Sequence, residues 1–323
     1  KAGRPENMRL YETYLQGMYY INSRYVLTYQ EEDFIKAMKM FAEAMRMDPD
    51  YAKTYVGMAW AYWHKYSITD REEDLERCVQ YGEKGYHLGP ELADAKLAKG
   101  FIHFLKGEYD EAFRKYRIAL EQNPNSHAIC MGIGYSCEVV GLHEKAIPFL
   151  QKAVELAPFY IFSRTILALC HQGLGEFEKA GAYLGEALNL NPRNPFCLGR
   201  LTEYLIRVGR YDEAEGRIAE LERVAPRYVA LPKYKALIHA ARGEREKALH
   251  LYKHPTVFAV LGMNHEALQA LRSEMAEGIP EPYLNLIHNP LYKGLRDDPG
   301  FERILAQAKA LREELLRKYG NSF

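Results

Sequence analysis

Histidine and cysteine are the residues of this sequence that could hold a metal or act as a nucleophile, and their spacing argues against both roles. His103, His171 and His239 each stand thirteen residues after a proline and 68 residues from the next. At helix packing distances of about 8–10 Å, that separation puts their side chains about 20 Å apart or more, too far to share an ion. Each is read as a core histidine satisfied in its own surroundings. His250 and His254 have the i, i+4 spacing of a helical metal pair, but no third ligand accompanies them and Pro255 follows at once. The five cysteines, Cys78, Cys130, Cys137, Cys170 and Cys197, form no CxxC pair and leave one over. They read as small buried apolar residues of a reducing, cytoplasmic compartment. Neither a phosphate loop nor a nucleophile elbow nor a dinucleotide fingerprint occurs, and the many carboxylate pairs read as solvated helix faces. The expectation is a chain with no catalytic residues, no metal and no cofactor.

The chemistry left is recognition, and its candidates are aromatic. Trp60 and Trp63 are the two tryptophans of a chain with 25 tyrosines and 13 phenylalanines. With 43 basic and 43 acidic residues the chain has no net charge to draw it to nucleic acid or an anionic membrane. No run approaches about 18 uncharged apolar residues, the length a spanning helix needs. At 48% hydrophobic and 27% charged, the sequence is foldable material.

What must position the aromatics is a repeat. Pro90, Pro124, Pro158, Pro192 and Pro226 recur every 34 residues, and Pro49 precedes them by 41. A second ladder keeps the same step: GEYDEA from Gly107, GLHEKA from Gly141, GEFEKA from Gly175, GRYDEA from Gly209 and GEREKA from Gly243. The glycine turns the chain between two helices, since it adopts the positive φ that closes a helix. The acidic residue after it meets the positive end of the next helix dipole. Ala112, Ala146, Ala180, Ala214 and Ala248 allow the two helices to approach, and the proline ends the second helix. Each period is thus a helical hairpin.

On these residues the chain resembles the tetratricopeptide repeat. Ten residues after each proline stands a small residue or threonine: Ala59, Gly100, Gly134, Ala168, Thr202 and Ala236. Large and small partners follow the alanine, as in Tyr116 with Ala119, Leu150 with Ala153 and Leu184 with Ala187. The resemblance covers about residues 9 to 277, and Thr202 and Leu221 depart from the ideal pattern. It implies an all-α solenoid, a right-handed superhelix of about seven to eight hairpins over 1–277. Residues 278–323 are expected to form a turn-rich segment and a capping helix from Glu302 to Tyr319. The longer links INSRYVLTYQEED and HKYSITDREED are expected to be loops.

The opening YETYLQGMYY and the tail NPLYKGLRDDPGFERIL are similar to repeat regions attached to bacterial signalling proteins, such as winged-helix regulators and adenylyl cyclases. The chain opens on Lys1, so it is read as part of a longer protein whose other part would carry the output.

The resemblance places the first helix of each hairpin on the concave surface. Residues 4, 7, 11 and 14 after each proline fall within about 80° of a helical wheel. The candidate ligand-binding residues on that stripe are Tyr14, Met18, Lys53, Trp60, Trp63, Phe101, Phe104, Met131, Tyr135 and Phe162. Such a groove fits a protein or peptide with an apolar or aromatic segment, and the chain is read as an interaction scaffold binding neither nucleic acid nor membrane. Two other functions stay open: a regulatory or sensory segment of a bacterial regulator or cyclase, and a carrier of a small apolar ligand. The same aromatics could also be ordinary packing against the neighbouring repeat.

Overall fold

The 34-residue period folds into paired helices. The computed structural model describes residues 7–277 and 281–320, and every regular element among them is helical. Contacts divide the chain into an N-terminal unit ending at Ile133 and a C-terminal unit beginning at Gly134.

In the N-terminal unit, α1 (Met8–Tyr19) runs on through a π-helical stretch, Tyr20–Tyr25, into α2 (Val26–Thr28), and packs against α3 (Glu31–Met47). Two further pairs follow: α4 (Ala52–Thr69) with α5 (Glu72–Leu88), and α6 (Ala93–Leu105) with α7 (Tyr109–Gln122). The division between units falls inside α8 (His127–Val139). The C-terminal unit continues with α9 (His143–Leu156), then pairs α10 (Ile161–Gly173) with α11 (Phe177–Leu190) and α12 (Pro195–Arg207) with α13 (Tyr211–Val224). Next come α14 (Leu231–Ala241) with α15 (Arg245–Leu251), and α16 (Pro255–Val260) with α17 (Asn264–Ala276).

One turn recurs throughout. Gly107, at φ 73°, follows α6; its N–H donates to the Phe104 carbonyl (3.0 Å) and the Glu108 N–H donates to the His103 carbonyl (2.9 Å). This two-bond closure needs a residue in the left-handed region, which explains the glycine ladder. The same turn brings His103 Nδ1 to 2.5 Å from Glu108 Oε2, and His171 with Glu176 and His239 with Glu244 repeat that distance. Each histidine is therefore satisfied by its own turn. His171 is buried, whereas His103 and His239 are only partly so.

Close approach within a hairpin is equally local. A Cβ on Gly100 would stand 2.7 Å from the Tyr116 ring, and one on Gly134 would stand 2.5 Å from Leu150. Ala112, Ala146, Ala180, Ala214 and Ala248 are all 0% exposed. Small residues on one helix thus receive large ones from the other, the dense interlock that protein interiors require.

Three expectations differ from the structure. The long links are not loops: the first is absorbed into the π-helical stretch and α2, and the second extends α4 to Thr69. Each extension closes on a non-glycine residue in the left-handed region, Tyr29 and Asp70, both at φ 53°. Secondly, His250 and His254 do not share a helix. His250 lies on α15, whereas His254 caps α16, its Nδ1 accepting the Thr256 N–H at 3.3 Å.

Thirdly, the segment read as turns is partly helical, forming α18 (Tyr283–His288) and a 3-10 turn, Pro290–Leu295. Its prolines and polar residues act as helix starts. Pro290 takes the first position, where its missing N–H costs nothing. Asn289 accepts the Leu291 N–H at 3.1 Å and Asp298 the Gly300 N–H at 2.7 Å. The final helix, α19 (Pro299–Tyr319), therefore begins three residues before Glu302. Leu286, Tyr292, Leu295, Phe301, Ile304 and Ala308 share one core with Ala259, Ala267, Leu268 and Leu271.

Candidate interaction surface

In the N-terminal unit, α4 and α6 carry the predicted stripe, and its aromatics meet. The Trp63 ring stands edge-on to Phe101 at 4.6 Å, Trp60 lies 5.4 Å from the same ring, and Tyr66 lies 5.6 Å from Trp63. Phe101 stacks with Phe104 at 6.3 Å, which in turn packs on Tyr109 at 5.5 Å. Phe101 and Phe104 are buried, at 3% and 7% exposure, whereas Trp60, Trp63 and Tyr66 remain half-buried. The arrangement is a layer of phenylalanines bearing a layer of larger rings that reaches the surface. Val56, Ala95 and Ala98 form the core beneath Trp60.

The other predicted residues of this unit lie on α1, the start of α4 and α8. Tyr14 meets Tyr51 edge-on at 5.6 Å and Phe41 at 6.4 Å, and burial pushes its hydroxyl pKa well up. A Cβ on Gly57 would stand 3.0 Å from the Met18 sulfur, which places that methionine against α4. Lys53 is half-exposed in the first turn of α4, and Met131 is half-exposed on α8.

The remaining two predicted residues belong to the C-terminal unit. Tyr135 is half-buried on α8. Phe162, 6% exposed, stacks on Phe196 at 4.5 Å, and the Arg200 guanidinium lies 5.2 Å from the Phe196 centroid. The stripe turns charged at that point. Glu203, 8% exposed, accepts from Arg200 Nη1 at 3.1 Å and Arg207 Nη2 at 3.0 Å, with Lys233 Nζ at 3.7 Å. Burial raises the Glu203 carboxyl pKa, but Lys233, Arg207 and Arg200 together hold it well below the usual carboxylate range. Glu138 is the converse case: burial lifts it to about 7, against the pull of Arg200 and Arg207.

Eleven residues after Pro192, Glu203 falls on the stripe by its spacing, but the spacing rule missed its cations. The signal was present, because Arg200 and Arg207 sit three before and four after it on one helix face. Also missed was the return of the chain along this unit. Built Cβ atoms on Gly141, Gly173 and Gly175 would meet Pro282, Asn285 and His288 respectively, at 2.6, 2.8 and 2.7 Å. Pro282 and His288 are six residues apart, about 9 Å of helix rise, which matches the spacing of neighbouring packed helices. Buried His143, pushed down to about 4 by burial, hydrogen-bonds Asn285 Oδ1 through Nε2 at 3.1 Å. Farther along, Arg312 Nη2 donates to Glu144 Oε1 at 2.7 Å.

All five cysteines are buried. Among the described residues no group of three or more His, Cys, Asp or Glu side chains is placed to hold a metal ion. No described helix is long and apolar enough to cross a membrane.

Two family models of the tetratricopeptide repeat match, one residues 103–161 and the other residues 163–194. The Hsp70-Hsp90 organizing protein 1 of Glycine max is 28% identical over 105 residues, 32% of this chain and 17% of the relative. The peroxisomal targeting signal receptor of Saccharomyces cerevisiae is 27% identical over 107 residues, 33% of this chain and 17% of the relative. The chain thus spans about a sixth of these relatives' length. Among solved structures, the human IFIT1 dimer with PPP-AAAA superposes with a TM-score of 0.55 at 15% identity, covering 89% of this chain and 69% of that one. The Thermus thermophilus protein TTC0263 gives 0.50 at 20% identity, covering 58% and 98%. The likeness to these structures is one of fold. Residues 103–161 and 163–194 carry tetratricopeptide repeats, and the all-helical hairpins of the chain are consistent with that fold.

Proposed function

We propose that this chain is a non-catalytic protein-interaction scaffold that docks an apolar or aromatic segment of a partner on the aromatic face of its N-terminal unit. The observation that carries the reading is the pair Trp60 and Trp63, half-buried above Phe101 and Phe104. Rings held from below and open above need no ordering when a ligand arrives, so little affinity is lost to entropy. Large aromatics so placed are the usual anchors of protein interfaces. Tyr14, Met18 and Lys53 border the same unit's first helices and would extend the contact. The names of the relatives point the same way, since they describe an organizer of two chaperones and a receptor for a targeting signal. The repeats over 1–277 would form the binding body and residues 278–323 its closing segment.

Selection of displayed peptides against the whole chain tests this. Enriched peptides should carry Trp, Phe, Tyr or Leu anchors, and calorimetry should show Trp63→Leu weakening them about tenfold or more, the scale of one lost anchor. Tyr66→Ala, which leaves the Trp–Phe101 packing in place, should weaken them less. Peptides without such anchors, or binding unchanged in Trp63→Leu with its helicity intact, would overturn the reading.

A further inference from the structure

The aromatic face of the N-terminal unit carries a carboxylate that no side chain of the protein pairs. Asp94, in the first turn of α6, lies four residues after Pro90, at the head of the stripe that continues through Leu97 to Phe101. It is half-buried, and among the described residues it makes no ion pair and no side-chain hydrogen bond. We infer that the partner segment carries a lysine or arginine that docks on Asp94 beside Tyr14 and Tyr51, an inference that stands on this face being the docking site.

Rings surround the carboxylate. Tyr14 meets Tyr51 edge-on at 5.6 Å, and Tyr11 lies 6.5 Å from Tyr14. Burial first and the Asp94 charge second push the Tyr14 hydroxyl pKa well up. At Tyr51, burial, the Tyr11 hydroxyl, Asp48 and Asp94 together raise it to about 12. His127, at the start of α8, also feels the Asp94 charge, but burial outweighs it and keeps the imidazole neutral at pH 7. On the other side, Ala95 and Ala98 share a core with Trp60. Aromatic faces attract cations, so rings and carboxylate favour the same guest.

Cations of the chain's own are short here. Lys53 stands at the equivalent place one hairpin earlier, four residues after Pro49, and no ion pair joins it to Asp94. Asp48, whose Oδ1 accepts the Asp50 N–H at 2.9 Å, adds a second carboxylate acting on Tyr51. Two carboxylates against one lysine leave this wall negative. While the face is open, water and the positive end of α6 stabilise Asp94. A partner laid over it removes the water, and a covered charge without a counter-charge is strongly unfavourable. A segment that is only apolar would therefore lose at Asp94 much of what it gains on Trp60 and Trp63.

The spacing of the partner's residues follows from the stripe. Asp94 and Phe101 are seven residues apart, about 10 Å of helix rise, and Trp60 lies 5.4 Å from the Phe101 ring. An extended partner covers that distance in about three residues and a helical one in about seven.

Peptides selected by display against the whole chain, with their binding read by calorimetry at two ionic strengths, test this. Enriched peptides should join a Trp, Phe, Tyr or Leu anchor to a Lys or Arg at one of those spacings. Asp94→Asn, which keeps the shape of the side chain, should weaken such a peptide about tenfold or more, and so should Gln in place of the peptide's basic residue. The two changes together should cost no more than either alone. Added salt should weaken binding to the unsubstituted chain more than to Asp94→Asn. Anchored peptides without an excess of basic residues, or affinities indifferent both to Asp94→Asn at unchanged helicity and to loss of the peptide's basic residue, would overturn the inference and leave the docking face standing. Failure to enrich anchored peptides at all would overturn the docking face, and the inference with it.

Discussion

Two glycines in equivalent helical backbone should respond oppositely to the same added methyl group. Gly216 lies in the interior of α13 with nothing within 4 Å of a built Cβ, and it is exposed. Gly216→Ala removes unfolded-state freedom and adds no clash, so it should stabilise by about 0.5–1 kcal/mol. Gly100→Ala gains the same propensity term, but its Cβ would stand 2.7 Å from two Tyr116 ring carbons and 3.1 Å from the Ala112 carbonyl. Tyr116 is 0% exposed, so the ring has nowhere to swing and the two helices must separate. Overpacking of this kind costs about 1–3 kcal/mol, which exceeds the propensity gain in the upper part of that range and opposes it throughout. The net expectation is about 0–2 kcal/mol of destabilisation, and a gap of about 1–3 kcal/mol between the two variants. Urea unfolding followed by far-UV circular dichroism measures the gap, with slopes compared to confirm that the transition is of the same kind. If Gly100→Ala stabilises as much as Gly216→Ala, the account of the hairpin as a small-against-large interlock is wrong.

Three other perturbations follow from the C-terminal unit. Glu203→Gln leaves Arg200, Arg207 and Lys233 facing one another without their shared carboxylate, and should cost about 3–5 kcal/mol by urea unfolding at pH 7. Glu138 holds its proton up to about 7 in the folded chain but only to about 4.3 when unfolded. The folded state then binds more protons between those values, so stability should fall as pH rises from about 4.5 to 7, and Glu138→Gln should flatten that slope. Gly173→Ala would put a Cβ 2.1 Å from His143 Nε2 and 2.8 Å from Asn285 Oδ1. It should break that hydrogen bond and speed amide exchange across Tyr283–His288, measured by mass spectrometry, while exchange in α6 and α7 stays unchanged.

The repeat was legible because its markers are local. A proline ends a helix and a glycine closes one wherever they stand, so Pro90 to Pro226 and Gly107 to Gly243 gave the period without tertiary knowledge. The extensions past Tyr19 and up to Thr69 were not legible as helix, because their stops, Tyr29 and Asp70, are not the glycines that close the later helices. The tail misled for a related reason. Pro290, Asn289 and Asp298 have the composition of turns, and only the partner N–H groups show them to be helix starts. At the candidate surface, the stripe rule found Trp60, Trp63, Phe101 and Phe104 because helical spacing fixes a face. It could not tell the buried pair from the half-buried pair, since that depends on what α4 and α6 present to each other. The return of residues 282–288 along the repeats was out of reach entirely, being a contact across more than 140 residues, as between His143 and Asn285.

Trp60 and Trp63 are the chain's two tryptophans, so its indole emission reports on the proposed docking face and nowhere else. Titrating an enriched, tryptophan-free peptide into the whole chain should shift that emission to the blue, saturating at the Kd found by calorimetry. Calorimetric binding with the emission spectrum unmoved would put the partner elsewhere on the molecule and contradict the account.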